Sequence, residues 1–257
     1  MDNSIKFEEL VSTELTKRGR AFSIEEASGC YVIQHEQGTN TICLDNLRKE
    51  LLLNGDVTRI QRFFDSIEAS WKINDLPLDA SKLFWSLEPN DYFEKPFIFD
   101  TLSGQVDQAL VHFCDSVGLI TFVTPEMLAK AELTQAQASA AALDNLDRVL
   151  KESTLECDDV AGTKLGMVST KFPFKTALLL APSLQAFVEP QLGWPVLAVA
   201  PDRNFLYLWS AEDRDFMTKV GTVVLNEYAK APYPVSTEVF EIDDDGIGAI
   251  GAYSRQS

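Results

Sequence analysis

Turn chemistry punctuates this chain at intervals short enough to dictate antiparallel strands. Pro201-Asp202-Arg203-Asn204 separates the apolar runs 196–200 and 205–209, and Asp245-Gly246 separates 237–242 from 247–253. Proline and aspartate bend the backbone, and Asp-Gly supplies the positive φ that a tight hairpin needs. Asp115-Ser116-Val117 joins 109–114 to 118–123 in the same way. Ser28-Gly29 and Gln37-Gly38-Thr39-Asn40 divide three short β segments at 21–26, 31–35 and 41–44. Parallel neighbours would need a long crossover, usually a helix, and no sustained strand-helix-strand alternation occurs. The fold class expected is therefore α+β, mostly antiparallel hairpins alternating with amphipathic helices, with parallel pairing between distant strands left open.

The helical segments carry their own stops and starts. Residues 5–18 place Ile5, Leu10, Val11 and Leu15 near one face, and Gly19 ends the run. A helix after Asp45 is cut by Asn54-Gly55, and Asp56 caps the next one. There Ile60, Phe63, Phe64, Ile67 and Trp71 recur at helical spacing and predict a core-facing stripe. Thr124-Pro125 opens a short helix, and Thr134 caps a longer one to about Lys151 whose inner side carries Ala136, Ala140, Leu143, Leu146 or Asp147, and Leu150. Residues 175–188 form an apolar helix interrupted or restarted at Pro182, and Ser210 caps a helix to about Lys230.

Between 76 and 104 the helical period is lost, and Pro77, Pro89, Asn90, Pro96 and Gly104 separate short aromatic runs. This stretch reads as a strand, a long loop and an edge strand. Residues 152–159 are charged and without period. They read as a linker between an N-terminal part, 1–151, and a C-terminal part, 160–257, or as a connection within one continuous domain.

Charge narrows the partners. The net charge of −17 comes from 39 acidic against 22 basic residues. Spread evenly over about 11,000 Å² of surface, the excess charges would stand about 26 Å apart, beyond the ~8 Å screening length, and would do little more than aid solubility. The acids cluster instead: Glu152, Glu156, Asp158 and Asp159; Glu212, Asp213 and Asp215; Glu238, Glu241, Asp243, Asp244 and Asp245. Gathered faces of this kind repel nucleic acid and anionic membranes and steer in a basic protein; a solvated face that keeps the chain soluble is the plainer account. The N-terminus is polar and amphipathic without a secretory core, and the longest apolar run, 176–182, is about a third of a membrane span. Cys30, Cys43, Cys114 and Cys157 lack paired spacing. A cytoplasmic protein with reduced thiols is the simplest expectation.

Several stretches in this order resemble the YtpQ-like family of uncharacterised bacterial proteins. They are the apolar strand 110–114 leading to Val123-Thr124-Pro125-Glu126-Met127-Leu128, the helix Ala140-Ala141-Ala142-Leu143-Asp144-Asn145-Leu146, the segment 174–180, and the hairpin Val199-Ala200-Pro201-Asp202-Arg203-Asn204-Phe205-Leu206-Tyr207-Leu208. The resemblance would cover most of residues 1–250. It implies a bacterial protein with no established activity, and no site residue is carried over by position.

Chemical signatures are weak throughout. Glu241, Asp243, Asp245 and Gly246 match the first, third, fifth and sixth positions of a calcium loop, but Ala252 stands where the bidentate glutamate belongs, and a hairpin turn explains the same residues. Cys30, His35 and Cys43 share a hairpin, and His112 and Cys114 share a strand face, without a zinc spacing. No nucleophile elbow and no glycine-rich phosphate loop occurs, so no catalytic residue, metal or cofactor is nominated. Lys164, Lys171 and Lys175 lie in a stretch, 160–188, free of acids. With Arg203 they would suit an acidic ligand; they would equally pair with the 152–159 acids or belong to buried elements with few charges. Trp85, Tyr92, Phe93, Phe97 and Phe99 would anchor a protein interface, or fill core beneath a loop.

The reading that follows is a non-enzymatic interaction module with an acidic face, formed by Glu212, Asp213, Asp215, Glu241, Asp243, Asp244 and Asp245, for a basic partner, with Trp85, Tyr92 and Phe93 as aromatic anchors. Neutralising a basic toxin, as immunity proteins do, is one form of it. The alternatives are an enzyme or small-molecule binder using the lysine stretch with Arg203 or His112, and a structural subunit of a larger assembly.

Overall fold

A computed structural model describes residues 3–36, 38–73, 78–91, 97–115 and 118–254. Among them the fold is α+β, with three antiparallel sheets and interspersed helices. The chain divides into two compact units, Met1–Leu76 with Asp115–Leu119, and Pro77–Cys114 with Ile120–Ser257.

In the first unit, helix α1 (Asn3–Lys17) precedes a three-stranded sheet, β1 (Phe22–Ile24), β2 (Tyr31–His35) and β3 (Gly38–Ile42), in the order β1-β2-β3. Helices α2 (Asp45–Asn54) and α3 (Thr58–Ile73) follow. Gly55, at φ 66°, ends α2 and donates its N–H to Leu51 O at 2.8 Å, a backbone conformation that disfavours a β-carbon. Asp56 Oδ1 accepts from Thr58 N at 3.0 Å, as the cap reading requires. Ile60, Phe64 and Trp71 of the expected stripe are buried, with Phe63 and Ile67 partly so, against Phe7, Val11 and Leu15 of α1 and Tyr31 and Ile33 of β2.

Two sequence expectations fail in this unit. Gly38, Thr39 and Asn40, read as turn residues ahead of a strand at 41–44, already pair with β2, so β3 runs from Gly38 to Ile42. Cys30 and Cys43 form a disulfide with Cα atoms 4.3 Å apart, which overturns the reading of four reduced thiols. Tyr31 pairs with Ile42 in the β2–β3 ladder, so the next residues outward, 30 and 43, fall opposite one another. A separation near 4.5 Å is that of directly facing strand residues. The cytoplasmic expectation rested in part on reduced thiols, and that support falls with them.

The second unit is built on a six-stranded sheet in the order β13-β12-β10-β11-β9-β8. Its strands are β8 (Thr154–Val160), β9 (Thr163–Ser169), β10 (Val196–Asp202), β11 (Phe205–Ser210), β12 (Glu238–Asp243) and β13 (Gly246–Ala252). The segment expected as a linker is therefore mostly strand: Leu155 and Cys157 are half-buried and alternate with exposed Thr154, Glu156 and Asp158, a period-2 pattern that its charge concealed. At the centre, β10 is buried on both faces. Val196, Ala198 and Ala200 face the main core; Leu197 and Val199 face a second one formed with Trp209, Phe216, Val220 and Val224. The last two residues belong to helix α7 (Met217–Lys230), which covers that side of the sheet.

The main core is closed by a smaller sheet of β4 (Leu83–Pro89), β6 (Val106–Cys114) and β5 (Phe99–Thr101), with β7 (Leu119–Phe122) also on β6. Helix α4 (Pro125–Lys130) is capped by Thr124, and α5 (Gln135–Lys151) by Thr134 and Gln137 in a capping box. The inner face of α5 is Ala138, Ala142, Asn145, Leu146 and Leu150, whereas Ala136 and Ala140, expected inside, are exposed, because the buried stripe is centred two residues further along the helix; the Asn145 amide donates to Ala80 O and Leu83 O, each at 2.8 Å, holding the start of β4. Pro182 does break the apolar stretch, into a 3-10 turn over Lys175–Leu180 and helix α6 (Leu184–Leu192).

A buried ion pair joins the two sheets. Glu88 of β4 is 2% exposed and Arg203 of the β10–β11 turn is 6% exposed. One guanidinium nitrogen of Arg203 lies 2.7 Å from both Glu88 carboxylate oxygens, and the Ser86 hydroxyl donates to Glu88 at 2.5 Å. The guanidinium also lies over the Tyr233 ring at 4.6 Å. Arg203→Leu strands the Glu88 carboxylate in the core and should lower the unfolding free energy by ~3–5 kcal/mol in urea titrations. Adding Glu88→Leu should restore most of the loss; a single variant within ~1 kcal/mol of the natural chain would contradict the coupling of the two sheets through this pair.

Candidate functional site

Antiparallel register decides which chain ends meet. Val196, the first residue of β10, is opposite both Ser210, the last of β11, and Ile242 near the end of β12. On the far side of β11, Tyr207 and Leu208 face Met167 and Gly166, so β9 begins at the same end, where Val160 and Thr163 close the β8–β9 turn. Three acid-bearing segments far apart in sequence thus reach one end of the six-stranded sheet: Asp158 and Asp159; Glu212, Asp213 and Asp215; Glu241, Asp243, Asp244 and Asp245.

Each segment has a local reason for its shape. Asp243 and Gly246 close the β12–β13 hairpin, Gly246 at φ 126°, and Asp243 Oδ1 accepts from Asp245 N at 2.8 Å. Asp244 Oδ1 accepts from the Trp194 indole N–H at 2.9 Å. Ser210 Oγ accepts from Glu212 N at 3.3 Å and starts a 3-10 turn over Ala211–Phe216, which presents Glu212 and Asp215 to solvent. Arg214 forms an ion pair with Glu241, tying that turn to β12. In the β8–β9 turn Asp159 Oδ1 accepts from Gly162 N at 3.1 Å, and the Lys219 ammonium donates to Ala161 O at 3.0 Å. Among the described residues of this unit, Lys164, Arg214 and Lys219 stand at this end, fewer than the carboxylates around them. Because β11 and β12 both flank β10, their ends lie about 10 Å apart, near the ~8 Å screening length, and their charges act together. Burial pushes the Tyr207 phenol of β11 above its ordinary value, and Glu227 and Asp158 push it further the same way.

The other nominated residues are placed differently. Trp85 is 2% exposed inside β4, a core residue rather than an interface anchor, because both faces of that strand are covered. Tyr92 and Phe93 lie outside the described residues. Arg203 is buried against Glu88, which removes it from the surface where a ligand would be met. Lys164 and Lys171 do not converge: five strand steps of β9, about 17 Å, separate Lys164 from Ser169, and Lys171 lies further on. Lys164 instead sits opposite Asp159, and Lys175, whose ammonium burial pulls below its ordinary value, is opposed in that shift by nearby Glu156.

Among the described residues no group of three or more His, Cys, Asp or Glu is arranged to hold a metal ion. The Cys30–Cys43 bond removes two of the zinc candidates. None of the described helices is long and apolar enough to cross a membrane. Three acids are buried among the described residues, Glu88, Asp107 and Glu238. Glu238, grouped by sequence with the 241–245 acids as part of a solvent face, instead lies inside β12, and for Glu88 a lone carboxylate in the largely apolar run 83–88 was the available signal. No family model, curated protein or solved structure matches the chain.

His112 lies half-buried on β6, where Asp79 N donates to its Nε2 at 3.4 Å. Burial, and then Lys82, pull its pKa below 6.5, against a smaller pull upward from Asp79. The unfolded chain then binds the extra proton first, so stability should decline as pH falls through 6.5. An NMR titration should place the His112 midpoint below 6.5, with stability falling on acidification in that window; a midpoint above 6.5 would contradict its desolvated placement.

Proposed function

We propose that this protein is a non-enzymatic interaction module that holds a basic protein partner against the carboxylate-rich end of its six-stranded sheet. The observation that carries this reading is the convergence there of three acidic segments separated by tens of residues. Charges within about a screening length add before salt attenuates them, and such a field accelerates encounter with an oppositely charged surface. The same field disfavours the phosphates of nucleic acid and anionic lipid. Neutralising a basic toxin or inhibiting a basic enzyme is one form this activity takes. Membership of the YtpQ-like family belongs to the same proposal and adds no activity to it.

The structural frame favours docking over chemistry. Asp243, Asp244 and Glu241 are each engaged in a turn, an indole hydrogen bond or an ion pair. They are held as a fixed array of negative charge, which suits electrostatic complementarity better than proton transfer.

Joint replacement of Asp213, Asp215, Asp243 and Asp245 by asparagine keeps the Oδ1 acceptors that shape the turns while removing the charge. In affinity capture the natural chain should retain a protein of basic isoelectric point, with retention falling steeply as salt rises. The four-fold variant should associate about tenfold more slowly with that captured protein at low salt. Equal association by both chains at every salt concentration would refute an electrostatic docking face.

A further inference from the structure

The acidic end of the sheet continues into an edge strand with an unusual surface. β13 is outermost in its sheet and pairs only with β12 among the described strands, so alternate backbone N–H and C=O groups point away from the sheet. Its residues, Gly246 to Ala252, include no charged side chain and no proline, and all but Ile247 are exposed. Edge strands are ordinarily guarded by charge, proline or a covering element. The opposite edge, β8, follows that rule with Glu156, Asp158 and Asp159. β13 does not, although it belongs to a strongly acidic chain.

The strand is held at both ends. Its start is fixed by the Asp243–Gly246 turn. Just past its end, Tyr253 donates its backbone N–H to Thr237 O at 3.0 Å and its hydroxyl to Met217 O at 2.6 Å. The Tyr253 ring lies so close to α7 that a β-carbon at Gly221 would meet it at 2.7 Å. A register shift against Val239 and Phe240 leaves Ile250 without a partner on β12, and the residue is 38% exposed, an apolar contact beside the open backbone. An edge already fixed in place asks little ordering of itself when another strand arrives.

We propose that β13 is a strand-addition site for an extended cationic segment of the partner protein. The proposal rests on the docking reading above and gives that docking its backbone geometry. Main-chain hydrogen bonds to β13 would supply affinity, and basic side chains beside Asp244 and Asp245 would supply selectivity. Charge decides the occupant: a second copy of this chain carries the same net charge of −17 and is repelled, whereas a cationic segment meets opposite charge.

The test uses the full chain and a synthetic peptide of alternating threonine and lysine, compared with the same peptide N-methylated at every second amide. Methylation keeps the charge and removes donors from one edge. Calorimetry should show the unmethylated peptide binding and the methylated one weaker by about tenfold. Amide exchange of β13 should slow only with the unmethylated peptide. Equal binding of both peptides, lost in the four-asparagine variant, would overturn strand addition while leaving acidic docking intact. Methylation-sensitive binding that the variant keeps would uphold strand addition and reject the docking reading. No binding of either peptide, or β13-mediated self-association in sedimentation, would overturn the cationic occupant.

Discussion

Strand β10 is the constraint on which the second unit depends. Its residues are buried on both faces, alternating between two cores, and it is flanked on both sides by antiparallel neighbours. A one-residue slip would exchange Ala198 and Ala200 for Leu197 and Val199 in cores shaped for the opposite arrangement, so the register is firmly set. Fixing that register also fixes which loops share an end of the sheet. The gathering of acids around Ser210, Asp243 and Val160 therefore follows from hydrophobic packing in the middle of the sheet, with no attraction among the acids themselves.

Buried polar groups reinforce the same arrangement. Glu88 reaches Arg203, and Glu238 accepts from Ser103 at 2.5 Å and Ser236 at 3.2 Å, so each carboxylate ties a strand to a distant turn or loop. Such groups add little net stability compared with well-packed apolar side chains, because desolvation offsets most of the attraction. Misalignment would leave a carboxylate buried without a partner, and that cost discriminates against neighbouring registers. In the first unit, apolar side chains and the Cys30–Cys43 bond are joined by Arg18, 12% exposed at its side chain, which pairs with Glu14 of α1 and with Asp65 and Glu68 of α3.

Local features of the fold were legible where one residue type dictates one backbone geometry. Asp245-Gly246, Thr124-Pro125, Thr134, Asn54-Gly55 and Pro182 each mark the turn, cap or break found at that position. The failures share a cause, since each depends on a partner remote in sequence. Trp85 looked like an exposed anchor because the sheet and helix that cover it lie elsewhere in the chain. Strand β8 looked like a linker because its charges mask a two-residue period that pairing with β9 makes evident. Arg203 looked available until Glu88, in another strand, was beside it. The acids of the candidate site were visible as clusters, but their convergence required the order β12-β10-β11-β9, which no local signal encodes.

The central claim is that negative potential is concentrated at one end of the six-stranded sheet. Paramagnetic relaxation of backbone amides by small cationic and neutral nitroxides reads local potential directly, because the ratio of the two effects removes differences in exposure. The account predicts that the ratio peaks at residues 158–162, 211–215 and 243–246 and flattens as salt shortens the screening length. A ratio uniform over the surface, or highest at the opposite end near Asp202 to Asn204, would contradict it.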